Sequence, residues 1–105
     1  SVEEIYAEKL RAIYQRGAAR DYYDLYQLLE TDSVMIDFAD VRPAFEAKCE
    51  HDGLSVDLIH GLPDKQQEKI RHQWETTLPD LTGDPPSFEM VWNRLNTVIT
   101  QQEPP

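Results

Sequence analysis

The sequence predicts an all-α fold, a bundle of about five helices with short loops that opens with an antiparallel helical hairpin. Three observations carry that expectation. Apolar residues recur at spacings of three and four along most of the 105-residue chain, the signature of amphipathic helices. Glycine and proline fall mainly between those periodic segments, where they act as breaks. Strands could come only from the 33–37 and 54–60 regions, and nothing else in the chain offers either one a strand partner.

Taken in order, Val2, Ile5, Tyr6, Leu10, Ile13 and Tyr14 define one face of a first helix over 2–15. Gly17 and its neighbours end it. A second helix starts near residue 19 or 20 and runs to 29 or 30, with Tyr22, Leu25, Tyr26, Leu28 and Leu29 as its buried stripe. The turn between them is short, so the two pack as an αα-hairpin. Val34 to Ile36 form an apolar connector. Asp40 is the expected N-cap of a third helix, which places Pro43 in the first turn, where a missing N–H costs nothing, and Gly53 closes it. The piece LSVDLIHGL reads as a short helix.

From Pro63, the run PDKQQEKIRHQWETTL predicts a fourth, mostly polar helix anchored by Ile70, Trp74 and Leu78. PDLTGDPPS reads as a loop, after which Ser87 caps a last helix carrying Phe88, Val91, Trp92, Leu95, Val98 and Ile99. QQEPP is a frayed tail.

Composition narrows the function. Ten Lys and Arg stand against twenty Asp and Glu, a formal net charge of -10 that repels a nucleic-acid backbone. No apolar run is long enough to cross a bilayer, so no membrane partner is expected. The single cysteine, Cys49, cannot form an internal disulfide and fits a cytoplasmic location. The chain enters a helical pattern at once, as expected of one helical domain, residues 1–105, forming the C-terminal fragment of a longer protein.

Charged residues sit on or beside the predicted stripes of the hairpin. Lys9 follows Ile5 by four and precedes Ile13 by four. Asp21 and Asp24 precede Leu25 and Leu28 by four, near the start of the second helix. A Lys–Asp bridge between helices is a common structural device, and aspartates in a first helical turn are favoured by the backbone dipole. Lysine also suits phosphate binding, and a nearby carboxylate can hold it in place. Arg11, Arg16 and Arg20 make this hairpin locally basic within an acidic chain.

AEKLRAIYQRG followed by ARDYYDLYQLL resembles the second half of the AbiEii/AbiGii-type nucleotidyltransferase toxins, in which an EKLRA-type helix precedes an RDxxDL-type helix. The resemblance spans about residues 3 to 29. It implies a bacterial toxin–antitoxin or phage-exclusion enzyme built from a nucleotidyltransferase domain followed by a helical domain. The first would carry a glycine-serine turn and two metal-binding carboxylates. The second would supply Lys9 as a phosphate-contacting lysine and Asp24 as a catalytic-site aspartate, with Glu8, Arg16, Arg20 and Asp21 as supporting or substrate-binding neighbours. Neither the glycine-serine turn nor the metal carboxylates occur in this sequence. No metal ligand or cofactor is therefore expected in this chain, and transfer should require the other domain. Nucleoside triphosphate and Mg would bind the full-length parent, with an RNA such as tRNA as acceptor and a cognate antitoxin as further partner.

The remaining constellations are weaker. His51-Asp52 is reminiscent of HD-type phosphohydrolases, but His60 and His72 form no ligand pair at helical spacing, and a histidine near a helix C-terminus is favoured electrostatically. Cys49 with His51 lacks the second pair a zinc site needs. Trp74 and Trp92 occupy core-facing spacings, whereas the tyrosines 22, 23 and 26 either pack the hairpin or, beside Asp24, face a nucleotide. A reading of a different class is a free-standing acidic helical module that binds a basic protein partner.

Overall fold

A computed structural model describes residues 1–31, 36–54 and 61–100. Among them are six α-helices and no strand: α1 (Val2–Gln15), α2 (Ala19–Thr31), α3 (Phe38–His51), α4 (Gln67–Thr76), α5 (Leu78–Thr82) and α6 (Phe88–Thr100). The all-α expectation therefore holds.

The Ser1 hydroxyl caps α1 by accepting from the Glu4 N–H at 3.2 Å. At the other end the N–H groups of Arg16 and Gly17 both converge on the Ala12 carbonyl. Gly17 then takes φ +66°, a left-handed conformation that a Cβ disfavours, and the chain reverses. The pairings between α1 and α2 run in opposite senses: Arg16 meets Asp21, Lys9 meets Asp24, and the Tyr6 hydroxyl donates to the Leu28 carbonyl. That order establishes the antiparallel hairpin.

The hairpin sits between two aromatic clusters of one buried core. On the α1 side, Tyr6 meets Phe38 edge-on at 5.7 Å and Tyr14 packs on Phe45 at 5.6 Å, both from α3. On the α2 side, Tyr22 stacks on Trp92 at 5.5 Å, and Tyr23, Trp74, Phe88 and Trp92 join α2 to α4 and α6. Both tryptophans are core residues, as their spacing predicts. Each large side chain buried here contributes about 1.5–3 kcal/mol, so the hairpin is held on both faces.

Four expectations change. Val2 and Ile5 are about half exposed, and the buried line of α1 is instead Tyr6, Ala7, Leu10 and Ile13. Ala7 is fully buried and Lys9 stands at the margin of that face, its side chain 41 % exposed. The cap of α3 is Asp37, whose Oδ1 accepts from Ala39 N–H at 2.9 Å, rather than Asp40. Starting the helix earlier buries Phe38 and puts Pro43 inside it, where a proline is ordinarily costly by about 3 kcal/mol. The segment 63–78 is not one helix: a 3-10 turn at Asp64–Gln66 precedes α4, which stops at Thr76. Pro79 has no N–H for the Glu75 carbonyl, so the ladder breaks and restarts as the short α5, where a loop is expected. The short helix expected in LSVDLIHGL and most of the 34–36 connector lie outside the described residues.

Ser87 does cap α6, accepting from Met90 N–H at 3.2 Å. Among the described residues, no helix is long and apolar enough to cross a membrane.

Candidate functional site

The start of α2 is built by Asp21. As the third residue of the helix it reaches back, and its Oδ2 accepts from the Ala18 N–H at 2.9 Å, the carboxylate arm of a capping box. The same oxygen accepts from Arg16 Nε at 3.0 Å while Oδ1 pairs with Arg16 Nη2. This bidentate contact raises the Arg16 pKa further. The Asp21 side chain is only 4 % exposed. Asp21 therefore faces the turn rather than open solvent.

Two glutamines from α4 and the 3-10 turn before it fix the same corner. The Ala19 N–H donates to Gln73 Oε1 at 2.9 Å, and the Tyr22 hydroxyl donates to Gln66 Oε1, also at 2.9 Å. A Cβ on Gly17 would stand 2.2 Å from that Gln66 oxygen. Neither glutamine carried a signal in the sequence, because they act across 44 and 54 residues.

One turn further along α2, Asp24 opens onto a cleft of about 240 Å³ between α1 and α2. Glu8, Lys9, Arg11, Ala12, Gln15, Arg16, Asp21 and Asp24 line it. Lys9 Nζ and Arg20 Nε each stand 3.8 Å from Asp24 Oδ2, with the Lys9 and Asp24 side chains 41 % and 35 % exposed. That separation exceeds hydrogen-bond distance, so both cations retain donors for a third group. Thus five of the six expected residues line one cleft, and Arg20 joins it through Asp24. The expected facing arrangement of Lys9 and Asp24 is present.

Glu8 closes the other edge. Arg11 grips it with two guanidinium nitrogens, and Lys48 Nζ lies 3.6 Å away. The Arg11 hydrogen bond holds the Glu8 carboxyl below its ordinary range. Arg11 also reaches Gln15 and, at 3.1 Å, Asp52 at the end of α3. Sequence reading did not single out Lys48, and it did not pair Asp52 with α1.

Three cations, Lys9, Arg11 and Arg16, and three carboxylates, Glu8, Asp21 and Asp24, line this cleft. Asp21 is occupied by Arg16 and a backbone N–H, leaving Asp24 as the open carboxylate beside Lys9. Among the described residues, no three His, Cys, Asp or Glu side chains gather to hold a metal ion.

Comparison with known families gives a match over residues 1–94 to the family described as Nucleotidyl transferase AbiEii toxin, Type IV TA system. No curated protein and no solved structure matches the chain.

Proposed function

The chain belongs to the AbiEii family of nucleotidyltransferase toxins, and from that premise we propose that it forms the helical wall of a nucleotide-transfer site. In this reading Lys9 contacts the triphosphate of a bound nucleoside triphosphate, and Asp24 holds Lys9 and Arg20 toward it. Transfer makes an acceptor hydroxyl displace pyrophosphate, so negative charge builds on the departing oxygens. A fixed ammonium group stabilises that charge without reorganising at the moment of reaction. Arg16 and Asp21 position the two helices.

The observation that carries the reading is the half-exposed Lys9–Asp24 pair in a cleft, with a second cation on the same carboxylate. The donor set favours phosphate over metal, so the Mg accompanying the nucleotide falls to an N-terminal nucleotidyltransferase domain. That domain, an RNA acceptor such as tRNA, a cognate antitoxin and a cytoplasmic setting complete the proposal.

Lys9→Met in the full-length protein tests it, since methionine keeps much of the stem and removes the charge. Nucleotide transfer should fall by at least about tenfold, the equivalent of 1.4 kcal/mol in transition-state binding, with the melting temperature nearly unchanged. Unchanged transfer excludes the role. A large loss of stability instead assigns Lys9 to the fold.

A further inference from the structure

Arg11 lines the Lys9 cleft with its guanidinium already engaged. Its Nε donates to Glu8 Oε2 at 3.3 Å and its Nη2 pairs with Glu8 Oε1, so the two planar groups meet in a bidentate contact. Nη1 turns the other way, to Gln15 and, at 3.1 Å, to Asp52 at the end of α3. Each of its three nitrogens thus has a protein acceptor. The Arg11 side chain is also the most sheltered of the cations lining this cleft, 22 % exposed against 41 % for Lys9 and 68 % for Arg16.

The charges of this corner sort into three groups. Glu8, Arg11, Lys48 and Asp52 form a network without net charge, in which Lys48 Nζ stands 3.6 Å from Glu8 Oε2. Arg16 and Asp21 balance each other. Lys9 and Arg20 share Asp24, two cations against one carboxylate, so the surplus positive charge lies there. Glu8 is the threat to that surplus: its carboxylate lines the same cleft as Lys9 and its side chain is 49 % exposed. Unpaired, it would oppose an incoming polyphosphate at short range.

We propose that Arg11 is a positioning residue for the nucleotide, holding the Glu8 carboxylate in a bidentate pair beside α3 and so silencing a negative charge that would otherwise oppose phosphate next to Lys9. The inference rests on the nucleotide-transfer reading above and adds the group that lets a carboxylate-lined cleft accept an anion. Lys48 and Asp52, which do not line the Lys9 cleft, support the arrangement from α3: Lys48 acts on Glu8 directly, and Asp52 acts through Arg11. The titration directions agree, since the Arg11 hydrogen bond holds the Glu8 carboxyl below its ordinary range and Glu8 raises Arg11 in turn. For Arg11 to bind phosphate itself it would have to leave Glu8, and that carboxylate would then stand bare in the cleft.

The test is calorimetric titration of the full-length protein with each common ribonucleoside triphosphate, in low salt with Mg present. Arg11→Met should weaken binding of the tightest of them about threefold to tenfold, and the loss should shrink as salt is raised. Glu8→Gln, which removes the charge and keeps an oxygen for Arg11, should tighten binding. The double variant, Arg11→Met with Glu8→Gln, should return to within about twofold of the unmodified protein, because no charge is left to silence. Lys48→Gln should give a smaller loss that disappears in the Glu8→Gln background, and it carries the test if Arg11→Met does not fold. A double variant as weak as Arg11→Met alone overturns the proposal and makes Arg11 a phosphate ligand. So does Arg11→Met that binds like the unmodified protein, or a Lys48→Gln loss that is the same with and without Glu8. The nucleotide reading fails separately: unaltered binding in Lys9→Met rejects that reading, whereas weakened binding in Lys9→Met with an unrescued double variant rejects only the role of Arg11. An unmodified protein that binds no triphosphate overturns both.

Discussion

Arg16 and Asp21 close the corner between α1 and α2 through a carboxylate buried on one side and a guanidinium in solvent on the other, with side-chain exposures of 4 % and 68 %. The carboxylate also satisfies the Ala18 N–H, so its role is to start a helix as much as to pair a charge. Asp24, three residues later, sits in the same helix under the opposite conditions.

Asp21→Ala should therefore destabilise the chain by about 2 kcal/mol, from a lost helix cap and a partly buried N–H left unsatisfied. Because Arg16 is mostly solvated, Arg16→Ala should cost clearly less. Urea denaturation of the two variants checks the order; equal losses would show that the ion pair, not the cap, dominates.

Asp24→Ala should behave differently. Both of its cations stand at 3.8 Å and are well exposed, so the stability change should stay under about 1 kcal/mol. A loss as large as that of Asp21→Ala would contradict the open cleft.

Gly17→Ala meets two obstacles. Its φ of +66° costs an L-residue about 1–2 kcal/mol, and the new Cβ displaces the Gln66 side chain from the Tyr22 hydroxyl, a bond worth about 1 kcal/mol. In a Tyr22→Phe background the second part has already been lost. Gly17→Ala should then cost less than it does alone, and strict additivity in this double-mutant cycle would dismiss the Gln66 coupling.

Glu8 should give stability a pH dependence. Its pKa is lowered in the folded state, chiefly by the Arg11 hydrogen bond, from an ordinary value of 4.5. The contribution is thus fully present above that value and disappears as pH falls through the lower folded-state pKa. Glu8→Gln should melt earlier than the unmodified chain near neutrality, by the equivalent of about 0.2–1 kcal/mol given its exposure, and the gap should close in acid. A gap that widens as pH falls would reverse the assignment.

The sequence alone determined the all-α class, the helical hairpin, the extents of α1 and α6, and the place of both tryptophans in the core. Each follows from local periodicity and caps, which neighbouring residues set by themselves. It also brought Lys9 and Asp24 together, because helical spacing around a short turn fixes which residues face each other. Local rules failed where a distant partner chose between locally acceptable options. Asp37 and Asp40 are both sound caps, and burial of Phe38 against Tyr6 goes with the first. Val2, Ile5, Tyr6 and Leu10 belong to one broad apolar arc, and only the packed helices decide that its Ile5 edge stays open. The same holds for the charges: Asp21 and Asp24 look alike in sequence, yet a carboxylate turned into a packed corner becomes part of the fold, while one facing a cleft stays partly exposed to solvent. Burial separates them, and burial is a property of the assembled helices.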